Sequence, residues 1–426
     1  MDRLSLCALG TGGSSGRTIA QIEAILRRSN PELRMTLADT QPLNLRQPAK
    51  TFYPGQGEVV SLTPETIGLP TRYPSQSVNL VLNGGMAAWR RMIARARDVL
   101  TGCGAQALLM CNDRIYIETA FIEAARSLGI PSIFLQEGPM CAVGHGGANT
   151  LKMKAKLVLA PLARTAGLLP LMPDYGCAGH QRLLVASDDY KRRWVAEGVP
   201  ADTVRVVGVA RFDNIFERRA VMPPAPGKRR ALFVVQPFAA HGKVDAVAAR
   251  DVLRFVAAGL NKVNAAVPID FVIRSHPRSS TDDVAALKEA LDFPFTFSDA
   301  KSSIEDEIPN FDCIVGHYST ALLEAVLLGR PVVIAPVPVS AFTEPSEGAK
   351  QAWLETVGLP VARDAEGFAA ALSGVLEGRA PQVDQARFGT ESGVVDGQST
   401  QRLAHEILEV VGRRRVAQEP LSAAAG

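Results

Sequence analysis

The sequence is short of the features that mark several specialised protein classes, and each shortage narrows the range of functions. Its six cysteines are scattered over 426 residues without a CxxC pair, so nothing indicates a disulfide framework or a zinc site. With 46 basic and 43 acidic residues, the net charge of +3 is too small to indicate nucleic-acid binding. The first apolar run, Leu4–Leu9, is too short for a signal sequence or a membrane span. We therefore expect a cytoplasmic protein without an integral membrane segment, with peripheral membrane contact left open.

What the sequence does contain is a regular alternation of apolar runs and amphipathic segments. Strands are predicted by the apolar runs at 4–9, 35–39, 106–111, 131–135, 183–187, 231–236, 269–274, 311–315 and 331–335. Helical segments separate these runs, and such alternation favours parallel sheets with helical crossovers. The length suits two domains. We predict an α/β protein of two Rossmann-like domains facing a central cleft, where ligands bind at the carboxyl ends of the strands.

Composition gives the expected domain boundaries. Residues 221–230 are rich in Pro, Lys and Arg, which is typical of a linker between an N-terminal domain, 1–220, and a C-terminal domain, 231–411. The tail 412–426 has little to bury, and we expect it to be disordered. Residues 41–78 carry many prolines, so we expect a long functional loop there.

A helix start in the C-terminal domain carries the clearest functional signal. Ser319 and Thr320 stand where a helix begins directly after the strand predicted at 311–315, and His317 lies just before them. Free N–H groups at a helix start, together with two hydroxyl groups, form a site for an anion. This pattern predicts a site for the phosphate of a nucleotide.

Three more candidate residues lie at the end of the strand predicted at 269–274. Arg274 ends that strand, and His276 and Pro277 come directly after it. Because the carboxyl ends of parallel strands meet at one edge of a sheet, His276 can add a donor to the same phosphate. Arg274 is a further candidate for contact with the phosphate or with an acidic sugar.

Two polar strand ends stand out in the N-terminal domain. Gly12 and Gly13 form a tight turn after the first strand, and Asp39 follows at roughly the distance of a ribose-binding acid, so a dinucleotide-binding function is an alternative. Glu137, flanked by Gln136 and Gly138, follows the strand at 131–135 and is the candidate general base. Asp113, at a neighbouring strand end, is the next candidate.

The order of these motifs resembles that of the GT-B glycosyltransferases. The resemblance is closest to bacterial transferases that use CMP-activated acidic sugars such as sialic acid, Kdo and other nonulosonic acids. Those proteins carry an acidic pair before glycine, a His-Pro pair and a Ser/Thr pair, matched here by 136–138, His276–Pro277 and Ser319–Thr320. Gln136 departs from the first acid of that pattern. The CDP-glycerol phosphotransferases and the non-hydrolysing UDP-N-acetylglucosamine 2-epimerases share the fold and are also similar.

The resemblance implies roles for particular residues. Glu137 would deprotonate the acceptor hydroxyl, and His276 would favour departure of the nucleotide. An acid that binds ribose is expected between the His-Pro and Ser/Thr motifs, where Glu305 lies, and Glu324 is a second candidate because it shares a helical face with Thr320. The N-terminal domain would bind a glycan, lipid or protein acceptor and the C-terminal domain the nucleotide sugar. Neither a cofactor nor a metal is expected.

Four functions therefore compete at this level. The first is a metal-independent glycosyltransferase with a CMP-activated acidic sugar as donor. The second is a sugar-nucleotide epimerase or CDP-polyol phosphotransferase on the same fold. The third is a nicotinamide-dependent oxidoreductase that uses the N-terminal glycine turn, and the fourth is a catalytically idle nucleotide-sugar binding protein. A shared fold does not decide among them.

Overall fold

The chain folds into two α/β units, each built around a parallel sheet. The computed structural model describes residues 3–12, 15–43, 50–73, 75–139, 158–159, 161–220, 229–236, 238, 242–276, 282–298, 303–343, 345–379 and 382–418. Among these, unit 1 takes the chain up to Asp213 and again from Glu391 onward, and unit 2 takes Asn214–Thr390.

The sheet of unit 1 has seven parallel strands in the order β3-β2-β1-β4-β5-β6-β7. Its strands are β1 (Ser5–Gly10), β2 (Arg34–Asp39), β3 (Glu58–Ser61), β4 (Ala107–Met110), β5 (Ser132–Leu135), β6 (Arg182–Val185) and β7 (Val204–Val206). β1, β4 and β5 are buried along their whole length, which explains their continuous apolar runs because a central parallel strand is covered on both faces.

The helices around this sheet come from both ends of the chain. They are α1 (Ser15–Ser29), α2 (Gln76–Leu82), α3 (Met86–Gly102), α4 (Tyr116–Ser127), α5 (Asp188–Ala196) and α14 (Ser399–Gln418). Helices α6 (Arg211–Ala220) and α13 (Gln385–Ser392) contain the two points at which the chain passes between the units. α14 packs beside α1, where Leu403 and Ile407 share one apolar core with Ile19 and Ile22.

The sheet of unit 2 has five parallel strands in the order β10-β9-β8-β11-β12. Its strands are β8 (Arg230–Val234), β9 (Asp270–Arg274), β10 (Thr296–Phe297), β11 (Cys313–Gly316) and β12 (Val332–Ile334). Its helices are α7 (Ala246–Ala266), α8 (Asp282–Ala290), α9 (Ile304–Glu307), α10 (Thr320–Leu327), α11 (Pro345–Thr356) and α12 (Ala365–Leu376). The prediction of two Rossmann-like α/β domains is confirmed by the two parallel sheets.

The structure differs from the sequence-based predictions in three places. The proline-rich segment 41–78 contains β3 and the start of α2. β3 is a mostly exposed edge strand, so its sequence carries no apolar run. The predicted C-terminal domain, 231–411, is shortened because the chain rejoins unit 1 at Glu391. The expected disordered tail begins within a helix, since α14 continues to Gln418. Most of the predicted linker, 221–228, lies outside the described residues.

Asp213 fixes the returning chain to unit 1. Its buried carboxylate accepts hydrogen bonds from the backbone N–H groups of Ser399 (3.0 Å) and Thr400 (2.6 Å) and from the Thr400 hydroxyl (2.7 Å). The carboxylate therefore satisfies the first N–H groups of α14 from a point 186 residues earlier in the chain. Charge at a helix N-terminus adds to this stabilisation.

We expect Asp213→Ala to lower the free energy of unfolding by about 2 kcal/mol or more, because it leaves buried N–H groups without acceptors. Asp245→Ala is the matched control, since Asp245 also caps a helix, α7, through the N–H groups of Val247 and Ala248, but at an exposed position. The control should cost about 1 kcal/mol. Urea unfolding of both variants gives the comparison. Equal losses would contradict the role given to Asp213.

Candidate functional site

The predicted site residues lie at the carboxyl ends of strands beside the points where the strand order reverses. In unit 1 the order reverses between β1 and β4, and in unit 2 between β8 and β11. Gly12 follows β1 and Glu137 follows β5, while His276 follows β9 and Ser319 follows β11. Open parallel sheets bind ligands at these edges. Each unit therefore offers one polar edge of the kind the sequence predicted.

The glycine turn after β1 is shaped by close packing. Gly12 has φ of 84°, and a Cβ there would lie 2.4 Å from the side-chain carbon of Gln41. Gln41 in turn donates a hydrogen bond from Nε2 to the Thr11 carbonyl at 2.6 Å. Gly13 lies outside the described residues. The requirement for glycine at position 12 therefore follows from Gln41, without a ligand.

Asp39, the acid of the dinucleotide alternative, is fully buried. Its carboxylate accepts hydrogen bonds from the Thr51 N–H and from the Gln41 N–H, both at 3.1 Å, and from the Thr51 hydroxyl. These bonds tie the loop after β2 to the strand end. Because the carboxylate is enclosed and engaged in this way, Asp39 is not placed to bind a ribose, and the nicotinamide alternative loses the residue on which it depended.

The strand end after β5 explains why glutamine stands where the resembling transferases have an acid. The Gln136 side chain is buried, donates from Nε2 to the Gly138 carbonyl at 3.0 Å and accepts from the Ala186 N–H at 2.9 Å. A carboxylate can accept but cannot donate, so the amide is needed to join the two loops. Glu137, next to it, is only partly buried. Of the pair, Glu137 alone keeps a carboxylate at the sheet edge.

Asp113, the second candidate base, has a structural environment. It is fully buried after β4, and both carboxylate oxygens accept the Gly176 N–H at 3.0 Å. The Nε2 atom of His180 lies 3.3 Å from the same carboxylate, and the Nδ1 atom of His180 lies 3.0 Å from the Ser132 hydroxyl. These contacts hold the segment around Gly176 over the strand ends, so Asp113 positions a loop.

The sequence analysis missed Glu118, a buried carboxyl in the first turn of α4. Its side chain accepts hydrogen bonds from the Asn112 amide (3.0 Å) and the Ile115 N–H (3.2 Å). Burial raises the pKa of Glu118 to about 8, and the nearby charge of Asp113 acts in the same direction. Glu118 is therefore largely protonated at neutral pH. No sequence signal revealed it, because the N-cap position is taken by Ile115, which lacks the polar side chain of a capping box.

His317, after β11, belongs to an apolar cluster. Its ring lies against Phe233 and Phe238, with ring centroids 5.6 and 5.4 Å away, and its Nδ1 atom lies 2.6 Å from the Ala335 carbonyl. Burial lowers the pKa of His317 to about 4, although the bond to Ala335 opposes the shift. The ring is neutral at physiological pH and joins the ends of β11 and β12. Its predicted contact with a nucleotide stays a prediction.

The start of α10 has the features predicted for an anion site. Ser319 stands at the position before the helix, but its side chain does not cap the helix. Its hydroxyl oxygen is enclosed and has no hydrogen-bond partner among the described residues. Thr320, half-buried, opens the helix. Since an N-cap serine usually bonds to its own helix, the hydroxyl of Ser319 is left available to another group.

The remaining predicted residues of unit 2 divide into partly and fully buried groups. Arg274 forms an ion pair with Glu307 of α9, and each side chain is 12% exposed. Glu305 is buried, and Glu324 of α10 has no exposed surface. His276 is half-buried, and Pro277 lies outside the described residues. Arg274 and His276 thus reach the carboxyl edge beside α10, whereas Glu324 lies beneath it.

A charged cluster that the sequence did not predict lies beside this edge. Glu347 of α11 contacts Lys350 at 2.7 Å and Lys243 at 3.1 Å, and the Tyr318 hydroxyl donates to it. Burial opposes ionisation, but the two lysines outweigh it and lower the pKa of Glu347 to about 2. Only the Glu347–Lys350 spacing along a helix was visible in the sequence. The cluster ties the loop before α7 to the end of β11.

In the described part of the chain, no group of three or more His, Cys, Asp or Glu side chains is arranged to hold a metal ion. Within the same residues, no helix combines the length and apolar character needed to cross a membrane.

Comparison with known proteins gives likeness in structure only. Neither a protein-family model nor a curated protein matches the chain. A structure described as a putative UDP-N-acetylglucosamine 2-epimerase from Listeria monocytogenes is similar, with TM-score 0.62, 10% identity, and 97% of this chain and 98% of that one covered. The UDP-GlcNAc 2-epimerase from Neisseria meningitidis, bound to UDP-GlcNAc, has TM-score 0.53 and 14% identity over 95% of this chain and 99% of its own. CalG4, the calicheamicin glycosyltransferase, has TM-score 0.55 and 16% identity over 98% and 100%.

These likenesses show the fold, which is of the GT-B type over the length of the chain. They also correct the predicted function. The prediction of a transferase for CMP-activated acidic sugars is wrong, because the likeness is mostly to UDP-GlcNAc 2-epimerases. The epimerase alternative is the better supported of the functions considered.

We expect His317 to make stability fall as the pH drops below about 6.5. Between pH 6.5 and about 4, His317 is protonated in the unfolded state but neutral in the folded state, so acidification favours unfolding. The contribution between pH 7 and pH 5 is about 2 kcal/mol. Urea unfolding of wild type and His317→Asn at both pH values isolates it: the variant should lose about that much less on acidification. Parallel losses in the two proteins would contradict the buried, neutral state of the ring.

Proposed function

We propose that this protein is an enzyme that binds a UDP-activated N-acetylhexosamine and inverts the configuration at C2 of the sugar. The observation that supports the proposal most is the likeness to UDP-GlcNAc 2-epimerases over almost the whole length of both chains, including both units. A likeness confined to one unit would not distinguish this function from that of any other nucleotide-binding protein. Each unit carries a polar carboxyl edge of the kind at which parallel sheets bind ligands.

The diphosphate is assigned to unit 2. The uncapped hydroxyl of Ser319 and the backbone N–H groups at the start of α10 lie after β11, and the side chain of His276 lies after β9, two strands away at the same edge of the sheet. A helix N-terminus attracts negative charge, and hydrogen bonds to a charged phosphate are stronger than those between neutral groups. Arg274 lies at the same edge, where the ion pair with Glu307 balances its charge.

The chemistry of the reaction explains why a carboxylate is needed. C2 of the sugar carries no adjacent carbonyl, so its hydrogen is not acidic, and its removal must be coupled to loss of UDP from C1. The electron pair of the C2–H bond then forms a C1–C2 double bond, while the pair of the C1–O bond leaves with UDP. Addition of a proton to the other face of C2, with return of UDP to C1, gives the inverted sugar. Both steps are redox-neutral, so the proposal includes no cofactor.

Glu137 is assigned as the base that removes the proton from C2. It is the partly exposed carboxylate at the carboxyl end of β5. The two carboxyl groups nearest in the sheet order are less suited, because Asp113 is enclosed by Gly176 and His180 and Glu118 is buried and largely protonated. A positioned general base contributes about 10²- to 10⁴-fold to a rate.

Incubation with UDP-GlcNAc in D₂O, followed by proton NMR, tests this assignment. We expect UDP-ManNAc to appear and deuterium to replace the hydrogen at C2, since the proton removed exchanges with solvent. Glu137→Gln should keep UDP binding, measured by thermal shift, and slow the exchange by about 10²-fold or more.

CMP, GMP and NAD are the controls for the thermal shift, since UDP alone should stabilise the protein strongly, by about 2.7 kcal/mol at one hundred times its dissociation constant. No deuterium at C2 and equal shifts with every nucleotide would refute the proposed function. Normal exchange in the Glu137 variant would refute only the assignment of the base.

Ser319→Ala tests the diphosphate assignment separately. Because the Ser319 side chain does not cap α10, its loss should change the free energy of unfolding by less than about 0.5 kcal/mol, well below the usual cost of a lost cap. UDP affinity should fall roughly tenfold, since a hydrogen bond to a charged group is worth about 1.5–3 kcal/mol.

Ser187→Ala is the matched control for this variant. Ser187 caps α5 by accepting the Tyr190 N–H at 3.3 Å, so its loss should destabilise the protein by about 1 kcal/mol and leave UDP affinity unchanged. Titration calorimetry and urea unfolding of both variants separate the two effects. An unchanged UDP affinity in Ser319→Ala would reject the diphosphate site at α10.

A further inference from the structure

Unit 1 exposes an unusual number of large apolar side chains within one short stretch. Val158, Leu159, Leu162, Leu168 and Leu171, together called the leucine patch, are between 52% and 79% exposed. Single exposed apolar residues are common, but a concentration of this kind marks a surface that is covered by something else.

Helix α2 extends the leucine patch. Val78, Val81 and Leu82 are 37–57% exposed and, at spacings of three and four residues, form the outer face of the helix. The two apolar surfaces adjoin, because a Cβ placed on Gly85, three residues after α2, would lie 2.9 Å from the Leu168 carbonyl oxygen. The exposed leucines therefore continue from one segment to the next.

Helix α4 supports both segments from beneath. The Ser77 hydroxyl of α2 lies 3.1 Å from the Tyr116 hydroxyl, and the Thr119 hydroxyl lies 3.6 Å from the Met172 sulfur. Tyr116 and Thr119 both stand in the first turns of α4. The leucine patch and α2 are thus placed on the same side of unit 1.

The sequence around these segments carries charge of one sign. Residues 66–97 contain no Asp or Glu but five arginines, at positions 72, 90, 91, 95 and 97. Within the leucine patch, residues 161–173 contain no Asp or Glu, and Arg164 adds a further basic side chain. The whole chain has an excess of only three positive charges, so these arginines are balanced by acids elsewhere. Arg90 and Arg97 are exposed on α3, which directly follows α2.

We propose that the leucine patch and α2 dock on the surface of an anionic lipid bilayer. Apolar side chains enter the boundary between headgroups and acyl chains, while arginine side chains meet the anionic headgroups, and both contributions favour this binding mode. A second copy of the same face is disfavoured, because two basic surfaces repel each other. This inference is independent of the reaction proposed for the strand ends.

Vesicle flotation with the full chain tests the proposal. The protein should float with vesicles of phosphatidylcholine mixed with phosphatidylglycerol, much less with phosphatidylcholine alone, and less at high salt because screening weakens the attraction. Leu162→Asp combined with Leu168→Asp should lower binding at least tenfold. Arg90→Gln combined with Arg97→Gln should lower it roughly fivefold for each arginine.

Val394→Asp and Phe297→Asp are the matched controls. Both residues are exposed apolar residues away from the leucine patch, at 59% and 47% exposure, and their variants should float like the wild type. The proposal is overturned if the wild type does not float with anionic vesicles. It is also overturned if the two control substitutions reduce flotation as much as the Leu162/Leu168 variant does. A change in sedimentation of the Leu162/Leu168 variant without vesicles would also overturn it, because it would show that the face joins two copies of the chain.

Discussion

The carboxylate of Asp213 is the contact on which the architecture depends most, since it joins the two separated stretches of chain that make unit 1. The chain leaves unit 1 directly after Asp213 and returns 178 positions later at Glu391. There the Tyr190 hydroxyl and Arg193 both contact Glu391, the latter at 2.7 Å. Asp213 then caps α14, whose apolar face completes the core beside α1. A buried charge of this kind is tolerated because every hydrogen bond it needs is present.

Glycine is required along the same return path for a steric reason. A Cβ on Gly393 would lie 1.9 Å from the Ala186 carbonyl oxygen, and one on Gly208 would lie 2.3 Å from the Ser399 hydroxyl. Both positions also have positive φ, 68° and 87°. The end of β6 therefore packs against the segment before α14, and the residues after β7 pack against the first residue of α14. Because that packing leaves no room for a side chain, the returning segment has a single well-defined path across unit 1.

Much of the fold could be predicted because it depends on local pattern, and the same pattern shows which polar residues follow the strands. Fully buried strands such as β1 and β11 produce apolar runs that any parallel sheet requires, and polar residues that follow such runs must lie at one edge of the sheet. β3 was missed because an exposed edge strand has no such run. The return of α14 to unit 1 was missed because an amphipathic pattern shows that a helix packs, but not on which domain. The prediction of a CMP-sugar transferase was wrong because three short motifs report an arrangement shared by enzymes with different nucleotides and reactions.

The split composition of unit 1 makes unit 2 an insertion within another domain. The points at which the chain enters and leaves unit 2 are tied to the same part of unit 1. Asp213 is hydrogen-bonded to residues 399–400, and Glu391 forms an ion pair with Arg193 of α5. A domain that is inserted through two connections lying close together can be removed, exchanged or acquired as one piece with little disturbance to the domain that contains it. Unit 1 itself cannot finish folding on a ribosome until α14 has emerged, because that helix completes its core. Unit 2 is complete before then, so synthesis itself sets the order in which the two units mature.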